Sequence, residues 1–323
     1  MVTGVLALAI ALAAARASPA VGPYPGLGPC SVFPKSPAGL AANAPSLPNE
    51  AAWNQDISKA PVARNSAATI AYIDSHGGDH LHPDFGSPRA YGFPYAVVGE
   101  GQPKLPIHYT AYGDESDPGP FPVPKGAPVE GGNRSDGDRH VLVVDRSSCT
   151  LYELYRAFFK RGGAHWNADS GARWDLRSTA LRPDSWTSAD AAGLPIFPGL
   201  VRYDEVATGH LDHAIRVTFD STRDAWVHPA SHCAGDTSSP DAPAMGTRLR
   251  LTAGYALGGF SGGARVIAEA LKHYGMIVAD NGSNWFFSGT SDRRWDDENL
   301  NQLKRIPGSA FQVVRSAAHA HVC

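Results

Sequence analysis

The sequence predicts a mainly β fold with a few helices: a β-sandwich or barrel-like core, with a mixed α+β layer fold as the alternative. Three observations lead there. Glycine (34) and proline (26) are abundant, which favours many turns and short strands. Short alternating or β-branched runs recur through the middle of the chain. Few segments carry a helical period, and no internal repeat or heptad pattern is present.

In chain order, residues 5–15 form an unbroken, alanine-rich apolar run, too short to span a bilayer. With small residues around Ala15, Ala17 and Ser18, residues 1–17 read as a signal peptide. Residues 18–50 are rich in Pro, Gly and Ala and read as an N-terminal arm. Residues 51–316 form the expected single globular domain, and 317–323 a C-terminal tail. Within the domain, Asn65 can cap a helix that buries Ile70 and Ile73 and ends at Gly77. Turn signals crowd residues 79–132, and Pro103 and Pro106 confine 102–109 to a sheet edge. Residues 141–144 read as a buried strand, joined by a turn at 145–148 to a second over 150–158. In 213–219, His213, Ile215, Val217 and Phe219 share one face, and Ala214, Arg216 and Thr218 the other. In 247–252, Leu249 and Leu251 point inward and Arg248 and Arg250 outward. Residues 284–288 are an aromatic strand candidate. Ser261 can cap a helix to Tyr274 with an apolar stripe through Ile267 and Leu271. Asp296 can cap another, with Lys304 and Arg305 near its end.

The hydrophobic fraction is 43%, the charged fraction 18% and the formal net charge −3. A sizeable core is therefore expected, and neither nucleic acid nor an anionic membrane surface is an expected partner. Cys30, Cys149, Cys233 and Cys323 are too scattered for a zinc knuckle or a redox motif, and disulfides suit an exported chain. Of the three pairings, Cys149–Cys233 with Cys30–Cys323 is the preferred one. Asn133 and Asn281 head glycosylation sequons.

Three motifs bear on chemistry. Gly259-Phe260-Ser261-Gly262-Gly263 matches a nucleophile elbow, but too little chain follows it to deliver an acid and a histidine, and a helix cap explains Ser261. Asn133, Asp136 and Asp138 have the spacing of a calcium loop without its closing glutamate, so no cofactor is expected. His80, His82, His140, His213 and His232 lack diagnostic metal-ligand spacing, which leaves a metal site undetermined. The third motif is a polar stretch after residue 181. Asp184, Asp190, Glu205 and His213 form a pool of acid–base candidates, because paired carboxyls or a histidine can cleave glycosidic bonds. Arg182, Trp186, Tyr203 and Trp285 are the substrate-binding candidates, the aromatics offering flat faces to sugar rings. Each of these residues also has a structural reading as a turn, cap or core residue.

Gly193-Leu-Pro-Ile-Phe-Pro-Gly-Leu-Val-Arg-Tyr-Asp-Glu-Val206, His213-Ala-Ile-Arg216 and Gly275-Met-Ile-Val-Ala-Asp-Asn-Gly-Ser283 resemble blocks in a family of secreted bacterial proteins. Ser135-Asp-Gly-Asp-Arg-His140 and His82-Pro-Asp-Phe-Gly86 are similar too, and the likeness runs over residues 50–314. It implies export and one shared fold. It carries no activity and no catalytic role.

The expected function is a secreted carbohydrate-active enzyme, a polysaccharide hydrolase or lyase using Asp, Glu and His. The alternatives are a non-catalytic extracellular glycan-binding protein and a serine esterase using Ser261.

Overall fold

The computed structural model describes residues 22–33, 52–86, 91–316 and 319–323. The proposed leader and most of the arm lie outside the described residues. Strand outweighs helix, the strands form four sheets, and no closed barrel occurs among the described residues. The fold is therefore β-rich and sandwich-like, with α+β character.

One sheet orders the strands Tyr95–Val98, Val141–Asp145, Thr150–Tyr155 and Ser170–Asp175. The run Val141-Leu-Val-Val144 is apolar throughout because this sheet is covered on both sides. Leu142, Val144 and Leu151 face the main core, whereas Val141, Val143 and Leu154 face a second core with Phe121, Val123 and Trp166. That second core lies under a small sheet in which Ile107–Tyr109 is an edge strand, as Pro103 and Pro106 require.

The five-stranded sheet orders Phe286–Phe287, Ile215–Phe219, Met276–Asn281, Arg248–Leu251 and Phe311–Val313. Its two central strands are parallel, and their register slips once. Val278 stands opposite Val217, but Asp280 stands opposite Thr218, so Ala279 is an extra residue. A bulge of this kind reverses the alternation beyond it. Asp280 consequently shares the strand face of Arg216.

Helix Gly262–His273 packs Ile267, Ala268 and Leu271 onto the core. Ser261 is its N-cap by position, but the cap bond comes from Asn299, whose Oδ1 accepts from the Ala264 amide at 2.9 Å. Asp296 caps the short helix Asp297–Leu300 with its own side chain.

Two sequence expectations are corrected. The disulfides join Cys30 to Cys149 and Cys233 to Cys323, not Cys149 to Cys233 and Cys30 to Cys323. Cys149 sits in the hairpin turn at the end of one sheet, beside the described part of the arm. Cys323 follows a strand, His321–Val322, that pairs with Arg223–Trp226 and so arrives beside Cys233. The closed loops span 119 and 90 residues, which restricts the unfolded chain by ~5 kcal/mol each in the chain-entropy model. Arg250 does not face solvent either: it is buried, and its guanidinium donates to the Ile57 carbonyl. Segment 52–58 covers the sheet face that alternation alone left open.

Candidate functional site

The densest charged group in the interior is centred on Arg216, on the Ile215–Phe219 strand. Its guanidinium donates to both carboxylate oxygens of Asp190, from Nε at 2.8 Å and from Nη2 at 2.6 Å. Nη2 also donates to Asp280 Oδ2 at 2.7 Å, and Nη1 to Ser288 Oγ at 3.0 Å. The forked pair is the strongest geometry available to a carboxylate. It needs that strength, since Arg216 and Asp190 are both buried, at 4% and 1% exposure.

The loop that delivers Asp190 is pinned at each step. Ser188 Oγ accepts from the Asp190 amide and donates to the Leu194 carbonyl at 2.6 Å. The Ala192 amide donates to the carbonyl of the bulge residue Ala279 at 3.0 Å. Gly193 turns the loop with φ +70°, where a β-carbon would lie 2.1 Å from Ser231 Oγ. Only glycine satisfies both demands.

His140 completes the group from a neighbouring sheet. Its Nδ1 donates to Glu130 at 2.5 Å and its Nε2 to the Ala189 carbonyl at 2.9 Å. Burial alone would push the imidazole pKa down, but the Glu130 charge and hydrogen bond outweigh it and hold it up at about 9. The same pairing holds the Glu130 carboxyl below its usual range against burial. Glu153 is wholly buried and accepts from the Ile196 and Phe197 amides at 3.0 and 2.8 Å. Burial pushes its pKa up to about 7, with those amides opposing.

Asp280 is the most open member, keeping 24% of its side-chain surface exposed, against 17% for Glu130. Burial, then the Asp190 charge, push its pKa up to about 7, and Arg216 opposes them. The whole group contains two cations and four acids. Its charges balance when Glu153 and Asp280 hold protons, which is the state favoured as pH falls below their raised pKa values of about 7. Burial, with the Asp138 and Asp280 charges, raises the Tyr155 phenol. The arrangement presents one proton-bearing carboxyl at the surface, backed by a fixed ion pair.

The sequence-predicted residues fall into separate networks. Asp190 belongs to the group above. Glu205 and His213 meet each other, His213 Nε2 lying 3.2 Å from Glu205 Oε2, and Arg202 also donates to Glu205. Burial opposes, but the Arg202 and His213 charges dominate and hold the Glu205 carboxyl at about 2. Asp184 is exposed and lies 3.7 Å from His228. The four therefore do not line one hollow.

Among the substrate-binding candidates, Arg182 is buried, with Nη1 on Asp117 at 2.7 Å and Nη2 on the Glu115 carbonyl at 2.6 Å. It lies over the rings of Trp174 and Trp186. With Trp53, Trp174 and Leu194, Arg182 lines a cleft to which none of the six charged groups around Arg216 contributes. Tyr203 carries Arg294 over its ring at 4.2 Å. Trp285 has no exposed face for a sugar: it is wholly buried and donates from Nε1 to Asp74 at 2.9 Å.

The calcium-like loop closes around a cation of its own. Arg139 Nη1 takes the carbonyls of Gly132, Asn133 and Ser135 at 3.4, 3.3 and 2.7 Å. Ser261 Oγ bonds Gln302, and no histidine is among its hydrogen-bond partners in the described residues. The five histidines considered for a metal are dispersed, His80 on Asp79, His82 on Asp84, His140 on Glu130, His213 on Glu205 and His232 on the Ala191 carbonyl.

Sequence reasoning missed Arg216, Asp280, Glu130, His140 and Glu153 as one unit. The available signal was Arg216 itself, a charge inside an apolar strand with strand neighbours on both sides, where only paired charges persist.

No family model, curated protein or solved structure matches the chain. Two disulfides fit an oxidising compartment, and no described helix is long and apolar enough to cross a membrane.

Proposed function

We propose that the chain is a secreted acid–base enzyme acting on polysaccharide, with Asp280 as its proton-transfer group. One observation carries the reading: a surface-reaching carboxyl shares the Arg216 guanidinium with Asp190, and burial pushes it up to about 7. A general acid works best when its pKa lies near the operating pH. Burial, then the neighbouring Asp190, favour the proton on Asp280, and Arg216 opposes them. His140 steadies the loop through the Ala189 carbonyl. Asp190 is a positioning residue, since its oxygens are committed to Arg216.

A hydrolase is favoured over a lyase. A lyase needs a free cation to neutralise a uronate, and Arg216 is already occupied by two carboxyls. Asp190 and Asp280 share one guanidinium nitrogen, closer than the ~5–9.5 Å that separates the two carboxyls of most glycosidases. The second catalytic group would therefore come from the side of Asp280 that is open to solvent.

The test is a screen of the purified protein against diverse polysaccharides, reading new reducing ends and unsaturated uronate absorbance, with Asp280→Asn in parallel. Reducing ends from the wild type alone support the reading. Equal activity in Asp280→Asn, or silence in both assays, removes it. A second reading, a non-catalytic glycan-binding protein, draws on the cleft lined by Arg182, Trp53 and Trp174. Binding without turnover, weakened by Arg182→Ala, would favour it.

A further inference from the structure

Asp184, His228 and His321 come from three separate segments, yet one ligand atom of each lies within 4.8 Å of the other two. The geometry points to a divalent transition-metal site of two imidazoles and one carboxylate, distinct from the group around Arg216. All three residues are exposed. Exposed as they are, the three side chains converge.

Each is brought there by backbone structure. The Ser185 amide donates to the Ser231 carbonyl at 2.6 Å, tying the Asp184 segment to the chain just after His228. His321 lies opposite Trp226 in a strand pair and stacks flat on its indole, with ring centres 4.0 Å apart and planes at 6°. Trp226 is itself buried and forms a rigid floor. The His321–Val322 strand has little apolar burial of its own, with Val322 70% exposed. The Cys233–Cys323 disulfide and the strand pair hold it down. Their combined effect is to fix an imidazole beside His228, the ring centres 5.9 Å apart.

The donor set suits a borderline ion. Imidazole binds Zn(II), Cu(II) and Ni(II) well, and a single carboxylate adds charge without excluding them. Bonds of ~2.0–2.2 Å would draw the donors somewhat closer together. Asp184 Oδ1 and His228 Nε2 are already 3.7 Å apart. Rotation of the exposed side chains supplies the remaining closure. Three protein ligands leave positions open to water, as in sites where the ion itself takes part in chemistry.

The test is calorimetric titration of the disulfide-bonded protein with Zn(II) alone at neutral pH, repeated with Co(II) to read d–d absorption. One site per chain is expected, with Co(II) bands of a four- or five-coordinate ion and a Zn(II)-dependent rise in Tm. His228→Ala, His321→Ala and Asp184→Asn should each weaken binding by about tenfold or more, the scale on which even outer partners of metal ligands act. His319→Ala, outside the cluster, should bind as the wild type. Absence of saturable binding would overturn the site. So would Zn(II) affinity unchanged in both histidine variants, with circular dichroism showing them folded. These readouts do not depend on enzyme activity, so a failure of the proposed function leaves them intact.

Discussion

Two clusters in this molecule use the same chemical parts to opposite ends. Around Arg216, acids and a histidine from separate segments are packed into the interior. Around His228, an acid and two histidines from separate segments gather at the surface. Inside, low effective permittivity magnifies both the cost of a lone charge and the gain from a neighbour. Proton positions are therefore dictated: His140 is held up at about 9, and Asp280 is pushed up to about 7. Outside, Asp184 and His228 keep 57% and 39% of their side-chain surface and meet at 3.7 Å, where water screens their attraction. The interior cluster stores a protonation state. The surface cluster stores a geometry that an incoming ion can complete.

The largest test of that contrast removes the central cation. Arg216→Met leaves the buried Asp190 carboxyl without its guanidinium partner and should cost about 3–5 kcal/mol in urea unfolding. Arg216→Lys should recover only part, because an ammonium cannot make the forked pair.

Next is the alkaline limb. The His140 pKa is raised above its unfolded value of ~6.5, so its stabilisation is complete below that pH and lost as pH rises through about 9. The loss should be on the order of 3 kcal/mol, taking 1.36 kcal/mol per pKa unit. Glu130→Gln should flatten this limb in urea titrations at pH 6–10; an unchanged slope would detach His140 from Glu130.

Asp280 has the same sign in a lower pH window. Its pKa is raised too. The native state therefore holds a proton that the unfolded state releases near ~3.9, and stability declines as pH climbs from there to about 7. Asp280→Asn should lack this decline and gain stability relative to wild type at pH 8.

The smallest effect belongs to the surface. Asp184→Asn should change stability by no more than ~0.5 kcal/mol without metal, as exposed pairs do. A larger loss would mean that the two clusters are not different in kind.

Much of the fold was legible because the local pattern and the tertiary environment agree. The strands at 141, 150, 215 and 248 and the helix after Ser261 all stand where periodicity puts them. Met276–Asn281 was harder: buried on both faces, it is an apolar run with no alternation to read. The site was less legible. Asp190 was among the candidates, but Asp280 and Arg216 join it only through a parallel strand pair between distant segments. Glu205 and His213 do touch, because a short helix and a strand start bring near neighbours together. The histidines considered for a metal did not include His228 and His321, which lie far apart in sequence; a strand pair at the end of the chain unites them. The disulfide preference failed for the same reason.

The slip at Ala279 makes the chemistry of the central sheet a matter of odd and even. Were Ala279 to pair regularly with Thr218 instead of bulging, Asp280 would fall opposite Phe219 on the other side of the sheet and Arg216 would keep a single carboxylate, although every ionisable residue would still be present. Conversely, any aligned pattern that counts this strand in steps of two will place its acid on the wrong side. What the bulge encodes is parity, and a functional group here can be erased without altering a single functional residue.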